Sequence, residues 1–224
     1  MKEVDDDASD RLEPAPRALS QMAYDRLLNQ LIKREIPVGA VLQERRLAES
    51  LDISRTPVRE ALNRLESEGF VTRKPGRVMV VKEFSTRELI ETLHVRQIME
   101  CEAISLATPR IPAEELDAVE HDIRTLLATS KPSAEADWDV DSRLHRMIAG
   151  HSGNAVLAGM IESLRVKTYT FNLDRVPERF EIGHHEHLAM IEAMRRRDRE
   201  AAREAIRQHI DNVKQSIILK LSSI

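Results

Sequence analysis

Apolar residues recur at three- and four-residue intervals along most of the chain. Met22, Ala23, Leu27, Leu28, Leu31 and Ile32 form the first such face, from near Leu19 to Arg34, before Pro37 and Gly39 break it. A short helix is predicted over Glu44–Leu51, with Leu47, Ala48 and Leu51 on one side. After a tight turn at Asp52-Ile53, Ser54 stands at an N-cap position. Pro57 falls in the first turn of the helix that follows, where a missing N–H costs nothing. Val58, Ala61, Leu62 and Leu65 keep helical spacing to Glu68, and Gly69 ends the helix. Two short strands are then expected, Phe70–Arg73 and Val78–Val81, joined by Lys74-Pro75-Gly76-Arg77. From Thr86 onward the period is helical again, over Thr86–Ala107, Pro112–Thr129, Ala134–Ala149, Ala155–Leu173, Glu178–Arg195 and Arg199–Leu219. Pro109, Pro112, Pro132, Gly153 and Pro177 punctuate these stretches.

This order divides the chain. Residues 1–18 are polar and read as a disordered arm. Residues 19–83 hold three helices and a two-stranded ribbon, the layout of a winged helix-turn-helix. Lys82–Ser85 reads as a linker, and residues 86–220 as an all-α bundle. The fold class is therefore mainly α.

Composition supports helices and narrows the chemistry. There are only 7 glycines in 224 residues and 3% aromatics, which disfavours a sheet-dominated fold. One cysteine excludes an internal disulfide framework and a CxxC zinc ribbon. No apolar run is long enough to cross a bilayer, and the acidic start is not a signal peptide, so the expected compartment is the cytoplasm, with no membrane partner. The net charge of −4 hides a division: residues 19–83 carry 12 basic and 9 acidic side chains, whereas residues 84–224 carry 19 and 23. A mildly basic module thus sits in an acidic protein.

Placement of the arginines matters more than that small excess. Opposite the apolar face of the third helix, its N-terminal end presents Arg55, Thr56 and Arg59, where a recognition helix meets base edges. Arginine can pair bidentately with guanine, and threonine can touch a thymine methyl or a phosphate. Arg45 opens the preceding helix, a natural phosphate contact, and the ribbon tip offers Lys74 and Arg77 around Gly76. The bland alternative is a set of arginines that merely solvate a helical surface.

The run from Leu47 to Arg77, above all Ser54-Arg55-Thr56-Pro57-Val58-Arg59-Glu60-Ala61-Leu62, closely resembles the DNA-binding signature of the GntR family of bacterial transcription regulators. The resemblance implies operator contacts by Arg45, Arg55, Thr56, Arg59 and Gly76, with Arg77 beside them in the wing. Two departures stand out. The family's Pro-Gly in the first loop is Val38-Gly39 here, and its Gly-Arg-Gly wing is Gly76-Arg77-Val78. A valine at that last position makes a positive φ costly, so a displaced wing is expected.

In the second module, polar groups interrupt apolar stripes. Trp138, Asp141, Leu144, His145 and Ile148 share one helix face, with Asp141 and His145 one turn apart. Phe180, His184, His187, Ile191 and Met194 form another, and Ala202, Ala205, Ile206, His209, Val213 and Ile217 a third. Buried carboxylates and imidazoles need partners. A divalent metal would satisfy an acid and three imidazoles together, and zinc, nickel, iron or manganese all suit such ligands. Separately satisfied core histidines are the alternative. Arg96 also points inward, between Leu93 and Ala103. It would either grip a carboxylate ligand or form a structural pair with Glu100 or Glu102.

Residues 86–220 resemble the helical effector domain of the fatty-acid-regulator branch of the same family. The matching pieces are His94–Glu100, Asp141-x3-His145, Ser152-Gly153-Asn154, Glu186-His187 and Gln208-His209. The resemblance implies a divalent metal, zinc first among the candidates, on Asp141, His145, His187 and His209. His184 shares the stripe of His187, which suits it either as a substitute ligand or as a hydrogen-bond donor behind one. The resemblance also implies an effector carboxylate on Arg96, and Arg165, Tyr169 and Asn172 are candidates to line the same cavity. The implied protein is a homodimeric, metabolite-responsive regulator that binds double-stranded operator DNA. Two alternatives stand beside it: a DNA-binding protein whose helical domain only dimerises, and a metal-dependent hydrolase. Against the hydrolase, no general base, nucleophile or oxyanion device stands out.

Overall fold

The computed structural model describes residues 16–172 and 179–222. The chain forms two compact units divided between Glu83 and Phe84.

In the first unit, α1 (Pro16–Ile32) and α2 (Glu44–Leu51) both pack on α3 (Arg55–Ser67). The helix starts at Pro16, inside the expected arm; residues 1–15 lie outside the described residues. Ala23, Leu27, Val58, Ala61, Leu62 and Leu65 form the core of this unit. The α2–α3 turn depends on Asp52, which adopts a left-handed φ of 55° and closes onto the Ala48 and Glu49 carbonyls. Aspartate tolerates that conformation better than most side chains. Ser54 occupies the N-cap of α3 in extended conformation, although its hydroxyl makes no capping bond.

The ribbon proves to be part of a three-stranded sheet in the order β1-β3-β2. Strand β2 (Val71–Lys74) pairs antiparallel with β3 (Val78–Val81), and β1 (Val41–Leu42) pairs with the other edge of β3. Between β2 and β3, Gly76 takes φ 81° and Arg77 φ 61°. Val78 is extended, with φ −78° and ψ 120°. The expectation of strain at Val78 is therefore corrected: the second left-handed residue of the turn is Arg77, one position earlier, and Val78 is free to begin a strand.

The second unit is a bundle of α4 (Thr86–Ala107), α5 (Ala113–Ala128), α6 (Ala134–His151), α7 (Ala155–Asn172), α8 (Arg179–Arg195) and α9 (Arg199–Ser222). The Ser85 hydroxyl caps α4 by accepting from the Glu88 N–H at 3.1 Å. Helix α4 packs against α6, α7 and α9, and α8 lies on α9. The core gathers Leu93, Ile104, Ile123, Leu144, Ile148, Met190, Met194, Ile206 and Ile210. The basic run Arg195–Arg197 links α8 to its neighbours. Arg195 pairs with Asp117 and Glu120 at 2.6 Å. Arg197, at φ 58°, donates to the Thr108 and Ile111 carbonyls at 2.6 and 2.9 Å, tying α8 to the α4–α5 connection.

Candidate functional site

Two sites emerge, one in each unit. In the first, Arg45, Arg55, Arg59 and Arg77 line one groove together with Glu44, Asn63 and Arg73. The buried face of α3 is what turns Arg55, Thr56 and Arg59 outward, because Pro57, Val58, Ala61 and Leu62 take the inward positions. Glu44, at the start of α2, holds both Arg55 and Arg59. Arg59 donates to it twice, at 3.0 and 2.9 Å, and Arg55 once, at 3.1 Å. The Arg59 hydrogen bonds hold the Glu44 carboxyl below its usual range. Arg45 is exposed, 3.7 Å from Glu49. Gly76 and Arg77 stand exposed at the turn of the wing. Sequence reading missed Glu44 and Arg73. Arg73 is clamped by Glu66 and Asn63, and its exposed place on a short strand gave little signal.

In the second unit, α6 supplies Asp141 and His145, α8 supplies His187 and α9 supplies His209. One ligand atom from each lies within 4.8 Å of all the others. The three imidazoles are buried, and their ring centroids are 4.6 to 5.6 Å apart. Asp141 Oδ1 lies 3.4 Å from His187 Nε2 and 3.8 Å from His145 Nε2, while Oδ2 takes Arg165. His145 Nε2 and both nitrogens of His187 are buried without a hydrogen-bond partner among the described residues. Such orphaned groups are costly unless something fills the space between them.

The surrounding acids fix which nitrogen faces inward. His145 Nδ1 bonds Glu100, and His209 Nδ1 lies 2.8 Å from Glu186 Oε2. Both contacts leave Nε2 for the centre, the arrangement by which carboxylates orient metal-ligating imidazoles. Glu186 in turn takes Arg179 and Asn212. Burial works to raise the Glu186 carboxyl, but the His209, Arg179 and Asn212 hydrogen bonds bring it down to about 2. The donor set, one carboxylate oxygen and three imidazoles, fits a borderline-soft divalent ion. His184 does not join the four; its Nε2 lies 2.7 Å from Asp137 Oδ1.

A cavity of about 470 Å³ opens beside this cluster. Arg96, Asp141, Arg165, Tyr169, His187 and His209 all contribute to its lining. Arg96 makes the structural pair: its Nε donates to Glu100 at 2.8 Å and one terminal nitrogen to Thr168 at 2.7 Å. It still reaches the cavity, and a guanidinium carries more donors than those contacts use. Tyr169 stacks on Trp138 with centroids 3.7 Å apart, and burial, then Asp137, pushes its phenol upward. Asn172 ends α7, and its side chain lies outside the described residues.

The cluster makes stability pH-dependent. Burial, reinforced by Arg165, holds the His145 pKa down; burial, reinforced by His209, does the same for His187. Below the usual 6.5, the unfolded chain binds a proton at each and the folded chain does not, so stability falls with acidification. Burial alone would raise Asp141 and Glu100, but Arg165 and Arg96, respectively, hold both well below their usual range. They add a second loss below about 4.5, of the same sign. The melting temperature of chelator-treated protein is expected to decline from pH 6.5 downward and more steeply below 4.5. A flat profile between pH 7 and 5 would contradict neutral buried imidazoles.

A groove of arginines on a helix-turn-helix with a wing, joined to a helical domain with a polar cavity, defines a two-domain transcription regulator. Residues 19–81 match the gntR family of bacterial regulatory proteins, and residues 91–212 match the FCD domain. The chain belongs to the GntR family and carries an FCD domain. It is 30% identical to the HTH-type transcriptional regulator McbR of Escherichia coli K12, over 84% of this chain and 88% of that protein. The HTH-type transcriptional repressor RspR of the same organism is 23% identical, over 89% of each chain. The solved structure of E. coli McbR/YncC superposes with a TM-score of 0.78 at 26% identity, covering 91% of this chain and 98% of that one. The Zn2+-bound FCD domain of TM0439 is 26% identical, covering 64% of this chain and all of that one, with a TM-score of 0.53. McbR and RspR are both named as transcriptional regulators. Among the described residues, no helix is long and apolar enough to cross a membrane.

Proposed function

We propose that this protein is a cytoplasmic, homodimeric operator-binding regulator whose DNA affinity is set by a small carboxylate metabolite, held with a divalent metal in the helical domain. The carrying observation is the convergence of Asp141, His145, His187 and His209 at the edge of a cavity also lined by Arg96, Arg165 and Arg179. Asp141 and the three Nε2 atoms would hold the metal, with zinc favoured by the donor set and by the zinc-bound relative. The bound ion supplies a positive charge at which an effector carboxylate can dock. Glu100 and Glu186 orient His145 and His209, and Arg165 neutralises the outer oxygen of Asp141. Arg96 and Arg165 offer further N–H donors to a carboxylate. On the DNA side, Arg55, Thr56 and Arg59 would read base edges. Arg45, Gly76 and Arg77 would meet the phosphate backbone and the adjoining groove. Exposed Val95 and Ile98 on α4, and Val156 and Met160 on α7, offer apolar surface for a second copy.

Elemental analysis and operator titration test this reading. One divalent ion per chain is expected. An organic acid that raises the melting temperature of the metal-loaded protein is expected to change operator affinity by about 5- to 150-fold. A protein that takes up no metal from a zinc solution, and whose operator affinity no acid alters, would leave a DNA-binding protein with a purely dimerising helical domain.

A further inference from the structure

The cavity has a second polar end that the metal does not use. One turn before Asp141 on α6 stands Asp137, and one turn before His187 on α8 stands His184. These two form their own acid–imidazole pair at 2.7 Å, and both line the cavity. The inner pair, Asp141 and His187, has Arg165 beside it; the outer pair has no cation bonded to it among the described residues. A carboxylate only accepts hydrogen bonds, so the His184 Nε2 that faces Asp137 must carry the proton. His184 Nδ1 is buried with no hydrogen-bond partner among the described residues. Asp137 Oδ2 is a second acceptor, on a side chain that is 44% exposed. The cavity therefore draws positive charge from Arg96, Arg165 and Arg179, whereas its Asp137–His184 end presents a carboxylate oxygen that no cation bonds among the described residues. The two ends are one helical turn apart, about 6 Å along α6.

We infer that the Asp137–His184 pair is a specificity element, and that the effector is a carboxylate bearing a hydrogen-bond donor, a hydroxyl or an ammonium, four or five atoms from its carboxyl carbon. This rests on the carboxylate-effector reading above. A plain carboxylate would leave the Asp137 end facing methylene groups, with its acceptors stripped of water and unpaired. A donor placed there restores the bond. The stacked Trp138 and Tyr169 rings line the same cavity and favour a ligand with an apolar stretch between its polar ends.

Calorimetric titration of the zinc-loaded full-length protein separates the outcomes. The probes are butyrate, 4-hydroxybutyrate and 4-aminobutyrate, with their five-carbon homologues. Wild type is expected to bind a hydroxy or amino acid about tenfold or more tightly than the plain acid of the same length. Which of the two leads identifies the donor. Asp137→Ala is expected to abolish the preference, with plain-acid affinity rising toward that of the substituted acids because the stranded acceptor is gone. Equal binding of plain and substituted acids by wild type overturns the specificity element and leaves the carboxylate reading standing. A preference that survives in Asp137→Ala overturns the role of Asp137. No binding by any of the acids overturns the carboxylate reading and this inference with it.

Discussion

Replacing Arg55 and Arg59 together by alanine is expected to weaken operator binding about 100-fold or more while leaving the melting temperature nearly unchanged. Each good arginine–base pair is worth about 1–3 kcal/mol of discrimination, so two lost pairs give roughly that factor. The fold should not register the change. Both side chains are mostly exposed, at 60% and 55%, and their partner in the free protein is the surface carboxylate of Glu44. Exposed ion pairs of this kind contribute about 0–1 kcal/mol. Loss should be larger on the cognate operator than on random DNA, because base readout rather than phosphate attraction is removed. Arg87→Ala is the control. That residue is 88% exposed, pairs with Glu91 one turn away on α4, and should leave operator affinity intact. If the Arg55/Arg59 double variant binds operator like wild type, the recognition-helix assignment fails. The expected sensitivity follows from the packing of α3, which buries Pro57, Val58, Ala61, Leu62 and Leu65 and turns these arginines toward the groove.

His187→Ala is expected to separate the metal-loaded from the metal-free protein. Neither of its ring nitrogens has a hydrogen-bond partner among the described residues, and burial keeps the ring neutral. Without metal, the substitution removes no hydrogen bond and adds space to an existing cavity, so the melting temperature should move by only a few degrees. With metal, it deletes one of the four proposed ligands. Zinc affinity should fall by at least about 100-fold, and the zinc-induced rise in melting temperature should vanish at micromolar zinc. Equal zinc stabilisation of wild type and His187→Ala would remove this residue from the ligand set. Glu100→Gln is a gentler companion. It keeps the shape but weakens the hold on His145, and a 10- to 100-fold loss of metal affinity is the usual size of such effects.

The helices were legible because the apolar period is strong and the breakers fall between stretches. The exception in the first unit is β1. Two residues, Val41 and Leu42, are too few to show alternation, and they form a strand only because the free edge of β3 receives them. The wing turn was misread for a related reason: family spacing suggested which residue would need a positive φ, whereas the backbone placed it on Arg77. In the bundle, Asp141, His145, His187 and His209 stood out as polar interruptions of apolar stripes. Their carboxylate supports did not. Glu100 sits four residues from Arg96 and reads locally as an ordinary helical ion pair; its bond to His145 spans 45 positions of sequence. Glu186 neighbours a histidine in sequence but bonds another one, 23 positions away. Tertiary partners of this sort leave no periodic trace. Glu44 escaped notice likewise, since its bonds to Arg55 and Arg59 depend on how α2 meets α3.

Helix α4 begins at Thr86, directly after the boundary between the two units, and its buried face contributes both Arg96 and Glu100. The acid that steadies one imidazole of the cluster is thus carried by the first helix past the DNA-binding unit. If an effector at the cluster alters operator affinity by some factor, the operator must alter effector affinity by the same factor. The protein sitting on its operator would then be a different chemical sensor from the protein free in solution, with its own threshold concentration. A dose–response curve measured on free protein would misstate the level at which the bound repressor or activator responds.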